Sequence, residues 1–177
     1  FLDSDRIIDY EKFINLIPSN KKIGIVFRCK DIKKRYVNAR KLLRLCKKKK
    51  FTFLVSSSYI IAKSIGADGV HYPNKYNYCR KDSKILMTSS YHGYNDIKRI
   101  KQLFVSLVFI SPIFSTKSDI NKKSTGLIKI SFLANYLKYQ YSVLGGVNDY
   151  NIKSLRNRGI KSISGLDIIF DIIGIKC

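Results

Sequence analysis

Eight short apolar segments of strand type alternate with helical segments along the 177 residues, and that alternation predicts an α/β fold with a parallel sheet. Eight such units are the number that closes a small (β/α)8 barrel, the TIM-barrel class, here as one domain over residues 1–177. A second observation favours the barrel over an open doubly wound sheet: no Gly-x-Gly-x-x-Gly turn follows the first strand. A third is the pair Gly145-Gly146 after the seventh predicted strand, the place where such barrels commonly bind phosphate.

The elements follow in order. Phe1–Asp3 is a strand stub, and Asp9 caps a short helix over Tyr10–Leu16 that Pro18 ends. Ile23–Phe27 (IGIVF) is a buried strand. Lys33–Lys50 places Tyr36, Val37, Ala39, Leu42, Leu43 and Cys46 on one face and Lys and Arg on the other, which predicts an amphipathic helix. Its basic end, Lys47 to Lys50, suits the negative pole of the helix dipole. Phe51–Val55 (FTFLV) is a strand, Tyr59–Ile65 a helix closed by Gly66, and Gly69–Tyr72 a strand. Past an irregular stretch, Ile85–Thr88 is a strand, Asp96–Phe104 a helix and Leu107–Ile110 a strand. Leu127–Lys138 (helix), Tyr141–Leu144 (strand), Asn148–Arg158 (helix), Ile160–Ile163 (strand) and Asp167–Ile173 (helix) complete the series.

Composition narrows the function classes. With 45% hydrophobic residues in 20.4 kDa the chain can bury a real core, so it is neither disordered nor fibrous. No apolar run approaches the roughly 20 residues of a membrane helix, and FLDSDRIIDYEK lacks the order of a signal peptide. The expected location is cytoplasmic, with no membrane partner. Cys29, Cys46, Cys79 and Cys177 are widely spaced, without a C-x-x-C and with only His71 and His92 to assist them, which reads as reduced, unpaired thiols. The 34 Lys and Arg against 12 Asp and Glu give +22, a charge that attracts polyanions. These cations are spread along the chain, and the wealth of Ile, Asn, Lys and Tyr is what AT-rich codons produce. Nucleic acid is therefore not the expected partner, whereas a basic surface favours phosphorylated small ligands.

The most polar loop follows the strand Leu107–Ile110. Residues 114–125 hold five Ser or Thr, three Lys and one Asp, donors that suit an oxyanion, although any solvated loop uses the same letters. Gly145-Gly146 would let an anion approach backbone N–H groups, helped by the start of the following helix. The plain structural alternative there is a tight turn that needs positive φ.

The motifs, taken together, resemble a family. RCK at Arg28 to Lys30, GADGVH at Gly66 to His71 and SYH at Ser90 to His92 with Asp96 after it are three of them. SPIFST at Ser111 to Thr116, TGL at Thr125 to Leu127 and LGGV at Leu144 to Val147 are the others. In this order they resemble thiamine phosphate synthases and their TenI-like thiazole tautomerase relatives, and FLDSDR is similar to the family's opening Leu-x-Thr-Asp-Arg. The resemblance implies a transferase that joins a pyrimidine diphosphate to a thiazole phosphate, with Mg²⁺ neutralising the leaving diphosphate.

Carried over residue by residue, the resemblance implies phosphate or substrate contacts at Arg28, Lys30, Ser56, Ser90, Thr116, Ser118, Gly145 and Gly146. It also marks departures. Val26 stands in place of a Gln, and Ser56-Ser57 replace an Asn-Asp pair whose Asp is a metal ligand. Tyr76 replaces the second metal carboxylate, so both Mg²⁺ ligands are missing and no cofactor is assigned. Asp119 replaces a Lys, with Lys117 beside it. Ungapped counting from Gly159 sets Leu166-Asp167 on a phosphate-contacting Val-Ser, a role Ser164 takes only with a shifted register. In tautomerases the acid–base group is a His at the end of the sixth strand, where this chain has Ser111. Lys30 and His92 are the candidates for chemistry, with His71 as an architectural residue. Three readings stay open: a barrel that binds thiazole phosphate or thiamine phosphate with synthase activity weakened, a catalytically degenerate sensing or interaction member, and a thiazole tautomerase. A homo-oligomer is an open option.

Overall fold

The computed structural model describes residues 1–4, 9–76, 82–116, 124–137, 139–156 and 158–165. Its strands are β1 (Leu2–Asp3), β2 (Gly24–Arg28), β3 (Thr52–Ser56), β4 (Gly69–Tyr72), β5 (Leu86–Tyr91), β6 (Leu107–Ile110), β7 (Gln140–Leu144) and β8 (Ser162–Ser164). Its helices are α1 (Tyr10–Leu16), α2 (Ile32–Lys48), α3 (Tyr59–Ile65), α4 (Asp96–Gln102) and α5 (Gly126–Leu137). The strands lie in chain order, β1 to β8, in one parallel sheet, the (β/α)8 arrangement that the alternation of segments predicts. The chain divides into two compact units, Phe1–Pro73 with Arg80–Met87 and Asn74–Cys79 with Thr88–Cys177.

In the first unit, β1 to β4 pair successively, with Phe27 opposite Val55 and Ser56 opposite His71. Phe27 and Phe53 are fully buried and their rings stack 6.4 Å apart. Each side chain so buried contributes roughly 1.5–3 kcal/mol of apolar transfer. α1 begins at Asp9, whose carboxylate accepts the Lys12 N–H. α2 begins at Asp31, which accepts from Lys33 and Lys34, and it buries Ala39, Leu42, Leu43 and Cys46. Tyr36 and Val37, expected on that buried face, are exposed; Val37 shares its helix face with the exposed Arg40, Lys41 and Arg44, by the three- and four-residue spacing of a helix. Lys49, just past α2, donates to the carbonyls of Asn15 and Ile17 at the end of α1. α3 closes on Gly66 at φ +70, where glycine has no steric penalty.

The second unit pairs β5 to β8 successively. β5 runs on to Tyr91, past the Thr88 at which apolarity ends. Thr88, Ser89 and Ser90 are buried and Arg99 meets the Ser89 hydroxyl, so the strand continues through polar residues. The helix expected over Asn148–Arg158 is a four-residue 3-10 turn, Ile152–Leu155. Asn148 and Asn151 account for this: the Asn148 side chain accepts from the N–H groups of Tyr150 and Asn151, and Asn151 Oδ1 accepts from Asn148 N. Side chains that bond nearby backbone in this way compete with helix. The last strand is Ser162–Ser164 rather than Ile160–Ile163. The helix expected over Asp167–Ile173 lies outside the described residues, as do Cys79 and Cys177. Cys29 and Cys46 are buried free thiols. Among the described residues no helix is long and apolar enough to cross a membrane.

Candidate functional site

The C-terminal strand ends of the second unit are set level by their registers. Tyr91 pairs with Ile110, Ile110 with Val143, and Leu144 with Ser164. The segments that leave these strands are tied together by backbone bonds. Ser111 N donates to Tyr91 O, Ile113 N to Leu144 O and Phe114 N to Gly145 O, at 2.9, 3.0 and 3.2 Å. The Ser111-Pro112 peptide is cis.

Gly145 and Gly146 have φ of +94° and +69°, the left-handed region that favours glycine. A Cβ on Gly146 would lie 2.4 Å from the Ser115 carbonyl oxygen and 2.8 Å from Phe114 Cβ. A Cβ on Gly145 would lie 3.3 Å from Thr116 Cγ2. The pair thus serves a tight approach of the loop after β6, and the same approach brings Thr116 against Gly145. Among the described residues no acceptor takes the Gly146 N–H. The Gly146 carbonyl is held by the Asn151 amide at 2.7 Å. The helix start expected to assist an anion here is only the short 3-10 turn, so a helix dipole adds nothing to this site.

At the end of β5, Ser90 is buried. The His92 ring meets the Ser111 carbonyl at 2.8 Å through Nδ1, so in the neutral ring Nδ1 carries the proton. The His92 N–H donates to Asp96 Oδ2 at 2.7 Å. Burial first, and the Asp96 carboxylate second, push the Tyr91 phenol above its ordinary value, which keeps it protonated. Ser164 ends β8 opposite Leu144, one residue before Gly145, and its hydroxyl lies 3.0 Å from that of Ser142. Ungapped counting passed over Ser164; the signal that finds it is that Ser162 and Ser164 alternate around Ile163 with the period of a strand. Ser118, Lys117, Asp119, Leu166 and Asp167 lie outside the described residues. A cavity of about 470 Å³ lined by residues between Ile152 and Ile163 contains none of the candidates.

In the first unit, Arg28 ends β2 with its Nη2 2.6 Å from Asp3 Oδ2 and its guanidinium 5.3 Å above the Phe1 ring. Its Nε is buried and meets no partner among the described residues. Lys30 is exposed two residues on, and Val26 is buried in the core. Ser56 ends β3, buried, with its hydroxyl 3.3 Å from that of Ser57. Ser57 sits at φ +66° and donates its N–H to the His71 carbonyl. His71 is itself buried, edge-on to Phe1.

The described carboxylates are largely committed to structure. Asp9 and Asp31 cap helices, Asp3 holds Arg28, and Asp68 accepts the Phe53 N–H. Asp82 accepts from Tyr59 and Lys63, and Asp96 from His92 and Arg99. Among the described residues no three His, Cys, Asp or Glu side chains cluster to hold a metal ion.

A parallel eight-stranded sheet in chain order, with its named residues at the C-terminal strand ends, defines a (β/α)8-barrel protein. The chain belongs to the thiamine monophosphate synthase family, whose pattern it matches over residues 8–169. It is 28% identical over 152 residues to a thiamine-phosphate synthase of Prochlorococcus marinus, covering 82% of this chain and 44% of that protein. A second P. marinus strain has one that is 31% identical over 126 residues, 68% of this chain and 36% of that protein. The chain thus spans less than half the length of these two relatives. It covers 91% of a putative thiamine-phosphate synthase 2 of Aquifex aeolicus at 26% identity over 170 residues, 91% of this chain. The fold is that of thiamine phosphate pyrophosphorylase from Pyrococcus furiosus, with a TM-score of 0.72 at 14% identity over 95% of this chain and 88% of that one.

Proposed function

We propose that this barrel binds a phosphorylated thiazole or thiamine phosphate at its C-terminal strand ends, and that it does so without a bound Mg²⁺. The observation that carries the reading is the Gly145-Gly146 turn, with Thr116 packed against it and the Gly146 N–H without an acceptor among the described residues. Ser164, one residue before that turn in register, adds a hydroxyl donor. In the first unit, Arg28, paired with Asp3, and the exposed Lys30 carry positive charge at the end of β2, which favours an oxyanion.

The donor set does not fit Mg²⁺. A hard divalent cation wants anionic oxygens. Ser57 offers a neutral hydroxyl beside another, and Tyr76 offers a phenol with the Lys75 ammonium 5.7 Å from its ring. The six carboxylates described above are already engaged. Synthesis that depends on a metal-neutralised diphosphate is therefore weak or absent, and the protein acts as a ligand-binding member of the family. The tautomerase reading has less support, because Ser111 stands at the end of β6, where the resemblance puts the acid–base His of that activity.

Calorimetric titration with thiazole phosphate and thiamine phosphate, with and without Mg²⁺, tests this. Saturable heat of equal affinity in both buffers is the expected result. No heat beyond dilution removes ligand binding, and thiamine phosphate formation at an ordinary enzymatic rate with Mg²⁺ removes the loss of metal chemistry.

A further inference from the structure

We propose that Arg99 is a positioning residue, which sets Ser90 and His92 at the end of β5 and ties the Tyr76 backbone to them. This rests on the ligand-binding reading above, to which it adds the residue that holds one wall in place.

Arg99 lies on α4 and is buried, 7% exposed. A guanidinium is kept out of water only when its N–H groups are met, and here all three nitrogens donate, with the Asp96 carboxylate beside them. Nε donates to Asp96 Oδ1 at 3.1 Å, and Nη2 is also 3.1 Å from that oxygen. Nη1 donates to the Ser89 hydroxyl at 2.7 Å and to the Tyr76 carbonyl at 3.4 Å. Nη2 also donates to the Ser90 carbonyl. Ser89 and Ser90 are consecutive in a strand, so their side chains point to opposite faces. Arg99 takes Ser89 from the helix side and so leaves the Ser90 side chain on the other face. The second oxygen of Asp96 accepts the His92 N–H, and the His92 ring reaches the Ser111 carbonyl of the neighbouring strand end. One buried cation therefore holds Ser90 directly and His92 through Asp96, and links them to the segment that carries Tyr76.

The planar fork is what does this. Lysine keeps the charge but cannot span two carbonyls, a hydroxyl and a carboxylate at once. Arg99→Lys is thus the informative variant, read by thermal melting, by exchange of the His92 amide in NMR and by thiazole phosphate affinity. The expected result is a folded protein whose His92 amide exchanges faster and whose affinity falls about tenfold or more, the scale on which small misplacements act. Cys46→Ala, a buried change in the first unit, serves as the control: it lowers the melting temperature and leaves affinity as in the wild type. A folded Arg99→Lys protein that binds like the wild type overturns the proposal. If Arg99→Lys does not fold, Ser89→Ala decides, because it removes one partner and no charge; a roughly threefold loss of affinity supports the proposal and no loss overturns it. If the wild type binds no thiazole phosphate, the functional reading falls by itself. Unchanged His92 exchange in Arg99→Lys then overturns the positioning role, and faster exchange upholds it.

Discussion

Two glycines with nearly the same backbone angle separate conformational cost from packing cost. Gly66 ends α3 at φ +70°, and a Cβ built there meets nothing within 4 Å. Gly146 has φ +69°, but its Cβ would lie 2.4 Å from a carbonyl oxygen and 2.8 Å from a side-chain carbon. Gly66→Ala should therefore lose about 1 kcal/mol, the cost of forcing an L-residue into left-handed backbone. Gly146→Ala should lose about 3 kcal/mol, because overpacking against backbone adds to that strain. Urea midpoints of the two variants give the comparison. Equal losses would mean that the loop after β6 can yield, and that its approach to the glycine pair is not what holds Thr116 in place.

At the scale of an element, α3 is fastened to the segment before β5 by one carboxylate. Asp82 accepts from the Tyr59 hydroxyl at 2.7 Å, from the Lys63 ammonium at 2.6 Å and from the Lys84 N–H at 2.9 Å. The Lys63 bond first, and the Tyr59 bond second, hold the Asp82 carboxyl well below its ordinary value of 3.8. A folded-state value below the unfolded one stabilises the fold above 3.8, and the contribution drains away as pH falls further. Asp82→Asn should thus cost stability near neutrality, and its deficit should close in acid. Denaturation curves of both proteins from about pH 6 to about pH 2 read this; parallel curves throughout would show that the clasp holds no charge preference. The elements themselves were legible in different degrees. α1, α3 and β4 have the bounds that apolar pattern, the Asp9 cap and the Gly66 stop predict. The apolar pattern stops β5 short at Thr88 and sets β8 two residues early, because both strands run on through serines, and hydropathy cannot see that Arg99 awaits Ser89 or that Ser142 faces both Ser162 and Ser164. The 148–158 segment was over-read because its Asn side chains satisfy the backbone locally. Of the site, the glycine pair was visible as letters, whereas its contact with Ser115 and Thr116 joins segments about 30 residues apart and has no local pattern.

For the molecule as a whole, +22 is a self-repelling charge, and the elements do not share it evenly. α2 carries Lys33, Lys34, Arg35, Arg40, Lys41, Arg44, Lys47 and Lys48 with no acid among its residues, while α5 carries Lys129 alone. Arg44 is exposed and lies three or four positions from Arg40, Lys41, Lys47 and Lys48. Like charges at these spacings each destabilise a helix by about 0.2–0.5 kcal/mol. Arg44→Glu turns four repulsions into attractions, with Glu ahead of Lys48 in the favourable order. Against this, an acid near the C-terminal end meets the negative pole of the dipole, at about 0.3–1 kcal/mol. The attractions outnumber that cost, so the variant should gain about 1 kcal/mol at low ionic strength. Screening within a few ångströms at about 1 M salt should remove most of the gain. Wild-type stability should rise over the same salt range, since its own repulsion is screened. Urea unfolding of both proteins at low and high NaCl measures the two trends together. A gain that survives high salt would mean that Arg44 is unfavourable for its side-chain packing, and a loss at low salt would mean that the dipole outweighs the cationic face.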